Sequence, residues 1–166
     1  IMITSSFAYT VSADKWVNTD SGYKYEYTDG TYAKKGWITV KGNKYYIQKD
    51  GTRKTGWLTL TSGKYYFDKN GKMKTGKITI SKKEYIFDKD GKQIDNDKAV
   101  LFIVNTATHC IHTNAKCSAA KKIKDENRDE WYYSNDNYKA LSNEGYFACG
   151  SCSKKISKEL PKPKEK

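Results

Sequence analysis

The chain has 166 residues, a net charge of +12, 14 Tyr against two Pro, and four Cys. That length accommodates one ordinary domain or two small ones, neither with a large core. The longest apolar run, Ala99 to Val104, is too short to span a membrane, and no Ser/His/Asp order, phosphate loop or supported carboxylate pair marks a catalytic centre.

The charge is uneven: residues 1–95 carry 18 Lys and Arg against 10 Asp and Glu, and residues 96–166 carry 13 against 9. A soluble, self-repelling surface and a polyanion partner both account for this, because net charge speaks to solubility and association rather than to fold.

Residues 1–13 read as the tail of a secretory signal, with Val11-Ser12-Ala13 in the small-x-small form of a cleavage site. An exported protein is therefore expected; a short N-terminal strand is the alternative. From Asp14 the chain enters a repeat array that extends to Asp95. Gly36-Trp37, Gly56-Trp57 and Gly76-Lys77 each open a Thr-alternating strand, followed by Tyr45-Tyr46, Tyr65-Tyr66 and Tyr85-Ile86, at a constant period of 20 residues. A fixed period of this size marks units that bury their apolar faces by stacking on one another.

Parity assigns the faces. Ile38 and Val40 alternate with Trp37 and Thr39, and Tyr45 and Ile47 alternate with Tyr46 and Gln48, so each unit is expected to be a hairpin with an aliphatic inner face and a Trp/Tyr outer face. Gly42, Gly63 and the Asp50-Gly51, Asn70-Gly71 and Asp90-Gly91 pairs supply the turns. Residues 14–35 form a degenerate leading repeat, with Trp16 at the Trp position and Tyr23, Tyr25 and Tyr27 alternating along one face. The third full repeat has Lys77 and Ile86 at the outer aromatic positions, the pattern of a capping unit.

These residues resemble the cell-wall-binding repeats of choline-binding surface proteins, glucan-binding proteins and clostridial toxins. The resemblance implies a β-hairpin solenoid on a secreted, surface-associated Gram-positive protein that holds cell-wall polysaccharide or teichoic acid. In the choline-binding branch a further Trp commonly precedes the Tyr pair and completes a cage around a quaternary ammonium; here Lys44, Lys64 and Glu84 stand at that position. A Lys ammonium on the rim opposes a cationic ligand, which argues against choline. Exposed rings suit the apolar face of a sugar, and the flanking Lys suit an anionic polymer. Trp37, Tyr46, Trp57 and Tyr66 are the expected ligand contacts; the competing reading is that these rings pack on the next hairpin.

A different pattern begins at Ala99. The strand-like run Ala99–Val104 precedes His109, Cys110, His112, Cys117, Cys149 and Cys152. Cys149-x2-Cys152 is a common zinc half-site and His112-x4-Cys117 a plausible second half; two disulfides are the alternative that an exported protein permits. Val104-Asn105-Thr106, Ile111-His112-x4-Cys117, Lys124-Asp125-Glu126-Asn127 and Gly145-Tyr146-x2-Cys149-Gly150-x-Cys152 resemble the small Ada-type metal-binding domain at the C-terminus of secreted bacterial nucleases and competence-related proteins. That resemblance implies an α+β domain over residues 99–158, with structural Zn2+ on His112, Cys117, Cys149 and Cys152 and with His109 and Cys110 outside the shell. Short helices are expected over Ser118–Lys124, Asp136–Asn143 and Cys149–Lys158, with Ser134 or Asn135 capping the second. Residues 159–166 read as a disordered tail.

The expected function is therefore a noncatalytic wall- or glycan-binding module with a zinc-stapled domain, any catalysis residing elsewhere. The alternative is a nucleic-acid-binding accessory region of a secreted nuclease or DNA-uptake protein, with Lys and aromatic rings tracking a single strand. Salt separates the two, because phosphate-dominated binding weakens steeply with it.

Overall fold

The computed structural model describes residues 13–134, 139–154, 156 and 160. The signal-like segment, the tail over 161–166 and the expected cap at Asn135 lie outside these residues. The chain divides into two compact units, residues 1–58 with 67–73, and residues 59–66 with 74–166.

The first unit is built of hairpins. β1 (Lys15–Thr19) pairs with β2 (Gly22–Glu26), and β3 (Gly36–Val40) with β4 (Asn43–Ile47), all antiparallel. Trp16 lies opposite Tyr25 and Trp37 opposite Tyr46, so the leading repeat is a true copy displaced by 21 residues rather than 20, Lys35 being the extra residue. β5 (Gly56–Leu60) and β6 (Gly63–Phe67), whose residues are divided between the two units, form a further two-stranded sheet.

An isolated hairpin is marginal in water, and the segments between hairpins supply what each lacks. The Arg53 amide donates to the Tyr23 carbonyl (2.8 Å) and the Met73 amide to the Lys44 carbonyl (2.9 Å), so each linker is hydrogen-bonded to an earlier hairpin. At the turn, Asp50 Oδ1 accepts both the Thr52 amide (2.9 Å) and its hydroxyl (2.7 Å). Tyr25, Ala33 and Ile47 form a core against which Trp16, Ile38 and Val40 pack. Tyr45 and Ile47 are buried, as parity requires; Tyr46, expected on an outer face, is buried as well.

In the second unit, β7 (Gly76–Ile80) and β8 (Lys83–Phe87) pair antiparallel, and β9 (Gln93–Ile94) adds to β8. Lys77 stands opposite Ile86 and forms an ion pair with Glu84 (2.8 Å). The rest of the unit comprises β10 (Ala99–Asn105), β11 (Cys110–His112), α1 (Ser118–Lys121), β12 (Arg128–Ser134), α2 (Lys139–Asn143) and β13 (Phe147–Ala148). Its sheet has the order β12-β10-β11-β13, with only the β11–β13 pair parallel. Asp88 bridges to Tyr132 of β12, which joins β7–β9 to this sheet, and Lys89 reaches Glu144, just after α2, at 2.9 Å.

β10 is covered on both faces at Phe102, Ile103 and Val104, which are buried, while Leu101 is exposed. Phe102 and Val104 enter a core with Ile111, Trp131, Tyr133 and Leu141, while Ile103 points to the other side, among Cys117, Ala120, Ile123 and Cys149. The helices are shorter than the sequence suggests. α1 ends at Lys121, and Lys122 and Ile123 close it with the tighter bonds of a 3₁₀ turn to Ala119 and Ala120. The expected helix at Cys149–Lys158 is not formed among the described residues, where 150–152, 154 and 156 are turns. The Ser153 hydroxyl donates to the Ile111 carbonyl (3.1 Å) and the Thr113 hydroxyl to the Cys152 carbonyl (2.7 Å), which ties the segment to β11 instead.

Candidate functional site

The repeat face is built on one cross-strand pair. Trp37 and Tyr46 lie opposite each other, and their rings meet edge to face at 5.3 Å and 80°; Phe67 tilts against the far side of Trp37 at 5.7 Å. Phe67 has no exposure and Tyr46 only 8%, whereas Trp37 is 42% exposed. Tyr46 thus supports the Trp37 ring from beneath. Trp57 holds the matching position one repeat later with 36% exposure, and Tyr66 is half-buried. Of the four expected contacts, Trp37 and Trp57 are exposed, Tyr66 is half-buried, and Tyr46 is buried opposite Trp37.

Sequence reasoning missed a second aromatic group. Trp16 packs edge-on against Tyr25 (5.0 Å) and at a tilt against Tyr45 (4.9 Å), and the Arg53 guanidinium lies 4.0 Å from the centre of the Tyr23 ring and 5.5 Å from that of Trp16. Burial pushes the Tyr45 and Tyr25 hydroxyls above the ordinary tyrosine range. The available signal was the 21-residue displacement: it places Tyr23, an aromatic residue, where later repeats carry Lys44 and Lys64.

The four expected metal ligands come together. The side-chain ligand atoms of His112, Cys117, Cys149 and Cys152 all lie within 4.8 Å of one another, with Cys117 Sγ 4.0 Å from Cys149 Sγ and Cys152 Sγ 3.6 Å from His112 Nδ1. β11 supplies His112, the start of α1 supplies Cys117, and the turn after β13 supplies the Cys pair. The amides of Ala120 and Ala119 lower the Cys117 thiol below its usual range, burial raises Cys152, and burial together with the nearby Arg128 charge keeps His112 neutral-leaning. Cys110 is half-buried beside this cluster without joining it, and the His109 ring lies against Tyr146 at 4.8 Å.

Residues 35–52 and 55–73 match a family described as "Putative cell wall binding repeat". Among solved structures, the chain is similar to choline binding protein F from Streptococcus pneumoniae, with 30% identity over 49% of this chain and 28% of that one and a TM-score of 0.46. It is also similar to the Cpl-1 endolysin of phage Cp-1 complexed with choline, with 23% identity over 57% and 30% of the two chains and a TM-score of 0.48. A third similarity, to the choline binding domain of another Streptococcus pneumoniae protein, covers 39% of this chain and 98% of that domain, with 29% identity and a TM-score of 0.36. The chain thus spans under a third of the length of the first two structures. No curated protein matches it. The two matched stretches include Trp37, Tyr46, Trp57 and Tyr66 but not the His/Cys cluster. Among the described residues, no helix is long and apolar enough to cross a membrane.

Proposed function

We propose that the repeats, stacked as a β-hairpin solenoid over residues 14–95, hold the protein on a cell-wall glycan or anionic wall polymer such as teichoic acid, at the cell surface and without catalysis of their own. The observation that carries this reading is the pair of open indoles, Trp37 and Trp57, at identical positions in the two matched repeats. An exposed ring backed by buried aromatic residues loses little entropy on binding and offers a flat face to a sugar. Tyr46 and Tyr66 complete the proposed contact set, Tyr46 by setting the tilt of the Trp37 indole. Lys44 and Lys64 beside them favour an anionic polymer over choline.

The test is retention on purified cell walls. Trp37→Ala with Trp57→Ala is expected to release the protein while its circular dichroism stays unchanged; undiminished retention by the folded double variant refutes the reading. A salt titration with single-stranded DNA as competitor distinguishes a phosphate-tracking surface, whose affinity falls steeply with salt.

In the second unit we assign structural Zn2+ to His112, Cys117, Cys149 and Cys152, in a domain resembling the Ada type. Tetrahedral zinc with bonds of about 2.3 Å to sulfur sets its thiolates about 3.8 Å apart, and Cys117 and Cys149 stand at 4.0 Å. Four protein ligands leave no position for substrate, so the metal would brace a small core.

A further inference from the structure

We propose that Cys152 is an oxidation site, at which hydrogen peroxide converts the Cys149 and Cys152 thiolates into a disulfide and so removes two of the four metal ligands. The inference rests on the zinc assignment above. Of the three cysteines in the cluster, Cys117 and Cys149 are buried, with 8% and 7% exposure, whereas Cys152 is half-buried.

A cavity of about 460 Å³ lies beside Cys152, with Val100, Thr113 and Ile156 among its other walls. Ser151 and Lys154 also line it and are exposed, so it opens to solvent. Cys117 and Cys149 are not among its lining residues, nor is Cys110. A water takes up about 30 Å³ of the liquid, so a molecule the size of hydrogen peroxide enters with room to spare. The cavity thus brings a small oxidant to one ligand and not to the others.

The partner thiol is set by the local chain. The Ser153 amide donates to the Cys149 carbonyl at 2.9 Å, which closes one turn and makes Cys149 and Cys152 neighbours three residues apart. Their sulfur atoms lie within 4.8 Å of each other. A disulfide needs Cα atoms about 4.4–6.8 Å apart, a separation that one helical turn supplies. Cys117 Sγ is also close, 4.0 Å from Cys149 Sγ, but it comes from α1 and does not border the cavity; it is the sulfur left behind with His112.

The step balances with peroxide as the oxidant. Cys152 Sγ attacks one peroxide oxygen, the O–O bond breaks and hydroxide leaves, which gives the sulfenic acid. Cys149 Sγ then attacks the Cys152 sulfur, the S–S bond forms, the S–O bond breaks and a second hydroxide leaves. The two sulfurs lose two electrons and the peroxide gains them. His112 and Cys117 alone cannot fill a tetrahedral shell, so the tie between β11, α1 and the turn after β13 is released.

The test uses the full chain as purified, with its zinc content measured first. Hydrogen peroxide is added beside a chromophoric zinc chelator too weak to strip the intact site, and disulfides are mapped by mass spectrometry after alkylation. Zinc should appear in solution together with a Cys149–Cys152 disulfide, and dithiothreitol with added zinc should reverse both. Ser151→Tyr, which sets a ring at the exposed edge of the cavity, should slow release several-fold without changing the initial zinc content. Cys110→Ser should leave rate and product unaltered. A chain that holds no zinc before peroxide refutes the zinc assignment and this proposal together. A loaded chain that keeps its metal under peroxide overturns this proposal alone, as does a disulfide through Cys110 or Cys117, or a Ser151→Tyr variant that reacts as fast as the unaltered protein.

Discussion

Gly71→Ala tests how closely the linkers are packed on the hairpins. Gly71 has φ +71°, and a Cβ there would meet Arg53 Cδ at 2.9 Å and the Lys54 carbonyl oxygen at 3.2 Å. Gly56 has nearly the same backbone, φ +68°, and a Cβ added there would meet nothing within 4 Å. Placing Ala in the left-handed region costs about 1–2 kcal/mol at either site. Only Gly71 adds crowding against a backbone carbonyl, of the order of 1–3 kcal/mol for an overpacked position. Gly71→Ala should therefore lose about 2–5 kcal/mol and Gly56→Ala about 1–2. Urea titration followed by Trp fluorescence reads both. Equal losses would mean that the linker is not clamped where the structure places it.

Truncating Phe67, which has no exposure and backs Trp37, to Ala should cost about 3–5 kcal/mol in the same titration. A loss under about 1 kcal/mol, the scale of a surface change, would contradict its place in the core. The protein purified without chelator should carry one zinc per chain, and a chelator should abolish the near-ultraviolet signal of Trp131. Apparent structural-zinc energies of about 10–16 kcal/mol match or exceed the whole stability of a small domain, about 5–15 kcal/mol; a metal-free protein whose signal is indifferent to chelator sinks the assignment. Two carboxylates should respond to pH in opposite directions. Burial raises the Asp88 carboxyl above its usual range, so its contribution is present below the ordinary carboxylate pKa and lost as pH rises through the raised value. Asp88→Asn keeps an acceptor for the Asp90 and Lys92 amides and should be at least as stable as the unaltered chain at pH 7, which thermal melts would show. The Thr52 amide and hydroxyl lower the Asp50 carboxyl, so its contribution holds above the ordinary pKa and is lost on acidification; Asp50→Ala should flatten the acid limb of the same melts.

Much of the hairpin array was legible because strand parity and turn glycines are local signals. Trp37 opposite Tyr46 follows from the positions of Gly42 and Gly36 alone. The burial of Tyr46 was not legible, because it depends on the cross-strand indole and on Phe67 packing behind that indole. Arg53 was invisible for a similar reason: nothing in its neighbourhood of sequence indicates that its side chain crosses to Trp16 and Tyr23. The four residues of the candidate metal cluster were readable from spacing. Their scaffold was read less well, since the run after Cys149 has helix-forming residues but spends its hydroxyls and carbonyls on bonds to β11.

The division of the His/Cys set bears on how the protein is made. Hairpins close between neighbours in sequence, so each can form soon after it leaves the ribosome. Cys117 and Cys149 are 32 residues apart, and β10 remains uncovered until β12 and β13 have both been synthesised. During synthesis, the interval between Val104 and Cys152 is therefore the period in which the most apolar strand of the chain is bare and the His/Cys cluster is incomplete. A chaperone or an oxidant acting in that interval would decide the yield of folded protein before any ligand is met.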